Sequence, residues 1–145
     1  MRPVPPVSRE EIKGRGSRLS PKNRFDRLAT VSCDDGWFDA QAEPTILRTL
    51  VSEEMPRRVI SYNRSPDLPF DRSINPYRGC EHGCSYCFAR PSHAFLGLSA
   101  GLDFETRLIA RPHTAKLLKQ ELAHSKYRVQ PIAIGTNTDL YQPIE

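Results

Sequence analysis

Three cysteines within eight residues give this chain its clearest chemical signal. Cys80, Cys84 and Cys87 have the spacing C-x3-C-x2-C, and the aromatic Tyr86 stands just before the last of them. Three thiolates on a short loop can each hold one iron of a [4Fe–4S] cluster, which leaves the fourth iron without a protein ligand. An open iron can bind a small molecule and pass it an electron, so the pattern predicts radical chemistry rather than electron storage.

Two other interpretations of the cysteines stay open. Zinc accepts four Cys or His ligands at similar spacings. The candidates for a fourth zinc ligand are His82, His93 and the remote Cys33. Structural zinc sites usually pair two ligand knuckles, however, and this chain has one triplet without a second pair. A redox role would use the C-x-x-C of Cys84 and Cys87 but would leave Cys80 without a role.

The segments around the cysteines predict a βαβ unit. Residues 72–79 are typical of a short strand that ends at the cysteine loop (residues 80–101). Residues 113–125 have apolar positions at helical spacing, and residues 131–135 are typical of a short buried strand. The polar segment that follows consists of Thr136, Asn137, Thr138 and Asp139. Because ligands sit at the carboxyl ends of parallel strands, we expect the cysteine loop and the polar segment to share one edge.

The rest of the chain is less regular, and 13 prolines favour extended structure. Residues 1–30, rich in Pro, Arg, Lys and Ser, predict a disordered basic arm. Residues 31–71 predict an extension that packs on the core and contains a short strand at 58–62. Residues 102–110 predict a further strand or extended segment. The net charge of +4 is compatible with a polyanionic partner or with none.

The cysteine usage and the apolar pattern predict a location. The N-terminus has no apolar stretch of the kind found in a signal peptide, and no run of about 18 apolar residues predicts a membrane span. We therefore expect no membrane association and a reducing cytoplasm, where grouped thiols more often bind metal than form disulfides.

The residues around the triplet resemble a known superfamily. C-x3-C-x-aromatic-C after a strand resembles the signature of the radical S-adenosylmethionine superfamily. SINPYRGCEHGCSYCFARPSHAFLGLSAGLDFET and IAIGTNTDLYQPIE resemble its branch related to spore photoproduct lyase, often described as DNA repair photolyase-like. The resemblance covers residues 59–145. It implies that Cys80, Cys84 and Cys87 bind a [4Fe–4S] cluster whose open iron chelates S-adenosylmethionine.

The resemblance also implies an activity. A donor such as flavodoxin or ferredoxin would reduce the cluster, which would cleave S-adenosylmethionine to a 5′-deoxyadenosyl radical. In this branch the substrate would be a damaged base in DNA, which must be extruded from the stack or belong to a strained lesion. Tyr86 takes the aromatic position near the adenine. The polar segment takes the position that contacts the cofactor's amino group, although the Gly-Gly-Glu phrase of many members is missing and Leu140 stands where the branch has proline.

The resemblance implies an α/β fold, the N-terminal portion of a partial, TIM-like (β/α)6 barrel preceded by an irregular extension. Six barrel units take roughly 180 residues. Residues 72–145 number 74 and would form an incomplete core with about two of the strands. We expect such a fragment to be inactive alone. The alternative is a zinc- or cluster-stabilised module without catalysis, whose basic arm contacts nucleic acid.

Overall fold

The computed structural model describes residues 14–25, 27–28 and 47–145. Short strands and helices alternate along the described part of the chain. The strands are β1 (Leu50–Glu53), β2 (Ile60–Tyr62), β3 (Arg72–Ile74), β4 (Tyr77–Arg78), β5 (Arg107–Ala110) and β6 (Ala133–Ile134). The helices are a 3₁₀ helix (Arg90–Leu96), α1 (Leu102–Thr106) and α2 (Thr114–Leu122). None of the helices in the described ranges is long and apolar enough to cross a membrane.

The strands form two separate three-stranded sheets. The first sheet has the order β1-β5-β4, with β1 parallel and β4 antiparallel to β5. The second has the order β2-β3-β6, with β2 antiparallel and β6 parallel to β3. The predicted parallel pairing across the helix is therefore observed, with Ser73 opposite Ala133 and Ile74 opposite Ile134. The strand predicted at 58–62 is present as β2.

The prediction that the chain forms the N-terminal portion of a partial (β/α)6 barrel is wrong. The described residues instead form a small mixed α/β structure with two three-stranded sheets, and the segment 72–79 contributes a strand to each sheet. Pro76 lacks an N–H and cannot continue the β3 ladder. The chain turns there, and Tyr77 pairs antiparallel with Ala110 of the other sheet. Residues 102–110 also differ from the prediction, since their first half is helix α1 and only the second half is strand β5.

Two apolar clusters hold the elements in place. In the first, the buried Val59, Ile60 and Ile74 pack against one face of α2 and the chain that follows it. The partly buried side chains there are Leu117, Leu118, Tyr127 and Ile132. The helix predicted at 113–125 is confirmed as α2, which is shorter than predicted and has nine residues. The second cluster contains Cys80, Ala89 and Phe104, so the cysteine loop itself forms part of the core.

Residues 14–25, which we call the N-terminal strap, lie against the cysteine loop. The Gly16 amide donates to Glu105 Oε2 at 3.1 Å, and the Leu102 amide donates to Leu19 O at 3.2 Å. A Cβ at Gly16 would lie 1.8 Å from Gly83 O, so the close approach of the two backbones requires glycine. The strap falls within the arm predicted to be disordered. The remainder of that arm, except residues 27–28, lies outside the described residues.

The extension predicted at 31–71 contributes a strand to each sheet. Its residues 31–46 lie outside the described part of the chain. Strand β1 pairs with β5 along Leu50–Glu53, and strand β2 pairs with β3 along Ile60–Tyr62. The described part of the extension is thus paired with the strands that lie before and after the cysteine loop.

Candidate metal and cofactor site

Consecutive turns define the path of the chain at the three cysteines. The Gly83 amide donates to Cys80 O at 3.2 Å. The Cys87 amide donates to Cys84 O at 3.2 Å, and the Arg90 amide donates to Cys87 O at 3.4 Å. Each cysteine is therefore the first residue of a turn closed by an i to i+3 hydrogen bond. The turns keep all three thiols within one short, irregular stretch of the chain.

The three thiols differ in exposure. All three cysteines are free, with Cys80 buried, Cys84 exposed and Cys87 half-buried. Cys87 packs against the apolar cluster that contains Cys80 and Phe104. Cys84 has no such constraint, so its side chain can change rotamer without loss of core packing.

The three free thiols are donors that both zinc and an iron–sulfur cluster accept. In the described residues, no three or more His, Cys, Asp or Glu side chains are grouped to hold a metal ion. Zinc ligands surround one ion and cluster ligands surround one compact group of irons, so both sites need the thiols to face a common point. Three free thiols on one short loop therefore match the ligands of either kind of site in type, and binding would require their side chains to come together.

Both histidine candidates for a fourth zinc ligand form a hydrogen bond through Nε2, and the cysteine candidate lies outside the described residues. His82 Nε2 donates to Tyr141 O at 2.9 Å. His93 is fully buried, with Nε2 at 3.0 Å from Arg107 O. Cys33 lies outside the described residues.

The structure brings the polar segment against the start of the cysteine loop, as the sequence predicts. Thr138 Oγ1 donates to Gly79 O at 2.6 Å, and the side chain of Thr138 is buried by this contact. Asn75, which follows β3, donates from Nδ2 to Thr136 Oγ1 at 3.0 Å. Asn75 Oδ1 accepts from the Asn137 amide at 2.8 Å. Side-chain hydrogen bonds thus connect the ends of the parallel strands β3 and β6.

The predicted cofactor residues fall into two groups. Thr136 and Thr138 use their hydroxyls within the protein. Asn137 and Asp139 are exposed, with Asp139 Oδ1 accepting from the Tyr141 amide at 2.9 Å. The ring of Tyr86 is 87% exposed, so its face is free for a planar ligand. Asn137, Asp139 and Tyr86 are therefore the members of the predicted set with groups available to a small molecule.

A buried ion pair that the sequence did not predict supports the cysteine loop. Glu105 is fully buried, and its Oε2 accepts from Arg90 Nη2 at 2.9 Å. Arg90 also donates to Gly83 O at 2.6 Å and to Cys84 O at 2.9 Å. Arg90 stands alone among small and apolar residues, which was the only sequence signal for this ion pair. Glu105 gave no signal, because it lay in a segment predicted to be extended. These contacts fix the backbone on both sides of Cys84.

Gln142 is a second residue that sequence reasoning missed. It is 4% exposed and lies between the cysteine loop and the polar segment. Its Oε1 accepts from the Glu81 amide at 2.9 Å, and its Nε2 lies 3.5 Å from Cys80 Sγ. A glutamine three residues after Asp139 carried no signal of its own, since long polar side chains are usually exposed.

Replacing Gly79 by alanine is expected to destabilise the protein more than replacing Gly97. Both glycines have positive φ, +81° and +72°, so both substitutions carry the cost of left-handed backbone. A Cβ at Gly79 would also lie 2.9 Å from Phe104 O, the carbonyl that accepts the Cys80 amide at 2.9 Å, whereas Gly97 has nothing within 4 Å. We expect Gly79→Ala to cost at least about 1 kcal/mol more in urea unfolding. Equal costs would show that the Gly79 contact is easily relieved.

The stability of the protein is expected to fall as the pH drops below about 6.5, because His93 is buried. Burial lowers the pKa of His93 from its ordinary value of 6.5, and Nδ1 has no hydrogen-bond partner. The unfolded chain therefore takes up the proton first as the pH falls, and stability is lost between the ordinary and the lowered pKa. The slope contributed by His93 is at most about 1.4 kcal/mol per pH unit.

Urea unfolding at a series of pH values checks the role of His93. His93→Gln should flatten the pH dependence of the free energy of unfolding below about pH 6.5. Parallel curves for the wild type and His93→Gln between about pH 5.5 and 7 would contradict the assignment.

Comparison with known proteins gives relatives but no family. No protein-family model matches the chain, and no solved structure matches it. A protein of Mycobacterium bovis and proteins of two strains of Mycobacterium tuberculosis, each described as uncharacterized, are 46% identical to the chain over 78 residues. The match covers 54% of this chain and 23% of each relative, so the chain spans about a quarter of the length of these proteins.

Proposed function

We propose that the cysteine loop binds a [4Fe–4S] cluster with one open iron, and that S-adenosylmethionine binds there. Cys80, Cys84 and Cys87 are the proposed ligands. When bound and reduced, such a cluster supplies the electron that cleaves the sulfonium of S-adenosylmethionine. The proposed class of activity is therefore radical chemistry that depends on this cofactor.

The contact between the cysteine loop and the polar segment carries the proposal. Thr138 Oγ1 lies 2.6 Å from Gly79 O, one residue before the first cysteine. S-adenosylmethionine is small, so a cofactor chelated at the cluster can only be recognised by groups adjacent to the cysteines. The polar segment meets that requirement, although 56 residues of the chain lie between Gly79 and Thr136 at its start.

The exposed groups have proposed roles that follow from their chemistry. The Asp139 carboxylate and the Asn137 side-chain carbonyl are acceptors for the amino group of the cofactor's methionine end. Tyr86 offers an exposed ring for stacking on the adenine. Thr136 and Thr138 act through the backbone by holding the polar segment in place, since their hydroxyls are already hydrogen-bonded.

The activity of the whole protein is a wider proposal. We propose a damaged base in DNA as the substrate and a flavodoxin or ferredoxin as the electron donor, on the resemblance to the photolyase-like branch. We propose the reducing cytoplasm as the location, because free, clustered thiols are kept reduced there. Binding to DNA that weakens steeply as salt rises would support the substrate.

Metal analysis of the anaerobically purified chain tests the proposal. After incubation with iron and sulfide, we expect about four irons and about four acid-labile sulfides per chain. A parallel sample incubated with zinc serves as the control. One equivalent of zinc that resists replacement by iron, or no bound metal in either sample, would contradict the proposed cluster.

A further inference from the structure

The amide of Gln142 has one possible orientation in the structure. Its Oε1 faces the backbone N–H of Glu81 at 2.9 Å, and its Nε2 faces Asp139 O at 3.0 Å. The N–H is only a donor and the carbonyl is only an acceptor. Exchanging the amide oxygen and nitrogen would therefore break both hydrogen bonds. The NH₂ group must point into the junction between the cysteine loop and the polar segment.

The NH₂ group of Gln142 is shared among three acceptors. Besides Asp139 O, Nε2 lies 3.2 Å from Thr138 Oγ1 and 3.5 Å from Cys80 Sγ. Thr138 gives its own hydroxyl hydrogen to Gly79 O at 2.6 Å, so its oxygen acts as an acceptor toward Gln142. One N–H donates to Asp139 O, and the other N–H is shared between Thr138 Oγ1 and Cys80 Sγ. Both Gln142 and Cys80 are buried, at 4% and 8% exposure, so water does not compete for this hydrogen.

We propose that Gln142 is a positioning residue that tunes the cluster through an N–H···S hydrogen bond to Cys80. This inference rests on the proposed function, because it assumes that Cys80 holds an iron. A hydrogen bond to a ligating sulfur stabilises the form of the cluster with more negative charge, which is the reduced form. Gln142 therefore raises the reduction potential. Gln142 also donates to Thr138 Oγ1 and Asp139 O, so the reduction potential of the cluster depends on the position of the polar segment.

The test compares two Gln→Glu variants of the full chain after anaerobic loading with iron and sulfide. Gln142→Glu keeps an oxygen for the Glu81 amide but removes the N–H toward the sulfur. Gln120→Glu adds the same charge on an exposed face of α2. We expect the midpoint potential of Gln142→Glu to be clearly more negative than that of Gln120→Glu in an EPR-monitored redox titration, and the ¹⁵N measurement below separates the lost hydrogen bond from the charge placed beside Cys80. Equal potentials would overturn the inference and leave the proposed cluster standing.

A measurement without a change at Gln142 covers the case in which Gln142→Glu does not fold or load. The chain has three other glutamines, at Gln41, Gln120 and Gln130, which are replaced by asparagine. The remaining glutamine is labelled with ¹⁵N in its side-chain amide, and the reduced cluster is studied by pulsed EPR. We expect a ¹⁵N coupling. A cluster signal without that coupling overturns the role of Gln142 alone, whereas a chain that binds no cluster overturns the proposed function as well.

Discussion

Replacing Cys84 by alanine is expected to abolish stable cluster binding with little effect on folding. Cys84 is exposed, so the loss of its side chain removes no core packing. A cluster with only two cysteine ligands has two unprotected irons and is expected to be lost. Bound iron should fall from about four per chain to fewer than about one. Iron and sulfide analysis after anaerobic loading, with circular dichroism to follow the fold, makes the measurement.

Cys33 provides the matched control for this experiment. It is the fourth cysteine of the chain and stands alone in the sequence, outside the triplet. Cys33→Ala should retain the iron content of the wild type. The assignment would be contradicted by a Cys84→Ala variant that keeps four irons, or by a Cys33→Ala variant that loses them. Cys80→Ala is a poorer test, because Cys80 is buried against Phe104 and its loss also weakens the core.

Replacing Glu105 by glutamine is expected to have the largest effect on stability. Glu105 is fully buried, and its carboxylate accepts from Arg90 Nη2 at 2.9 Å and from the Ser17 amide at 3.1 Å. A glutamine of the same size leaves the positive charge of Arg90 without its partner and can turn an NH₂ group toward other donors. Removing one partner of a buried ion pair typically costs about 3–5 kcal/mol.

Urea unfolding measures this cost against a neutral reference. Glu53 lies on β1 with its side chain exposed, and Glu53→Gln should change the free energy of unfolding by less than about 0.5 kcal/mol. Because Glu105 joins the strap to the cysteine loop, the variant should also release residues 14–25 to proteolysis before the rest of the chain. A cost for Glu105→Gln no greater than that for Glu53→Gln would show that the ion pair contributes little.

The parts of the fold that the sequence predicted have local causes. Helix α2 follows from apolar residues at helical spacing, and its partly buried Leu117 and Leu118 pack on the β2-β3-β6 sheet. The parallel pairing of β3 with β6 follows from a strand, helix and strand in succession. That pairing also explains why the predicted neighbourhood of the cysteine loop and the polar segment is observed.

The parts that could not be predicted depend on contacts between distant segments. Pro76 indicates from the sequence that the strand ends there. The direction of the chain after Pro76 depends on pairing with β5, which the sequence does not show. Glu105 looked like one residue of an alternating pattern, and its burial depends on Arg90 and on the strap. Gln142 is buried only because Glu81 and Asp139 satisfy its amide. Pairs of polar residues that bury each other leave no periodic signal in the sequence.

EPR of the reduced chain with and without S-adenosylmethionine tests the central proposal most directly. The chain is loaded anaerobically with iron and sulfide, reduced, and measured before and after the cofactor is added. We predict a [4Fe–4S]⁺ signal that changes when S-adenosylmethionine binds, because the cofactor occupies the open iron. A cluster signal that the cofactor leaves unchanged would contradict an open-iron site, and the absence of any cluster signal would contradict the assignment of the three cysteines.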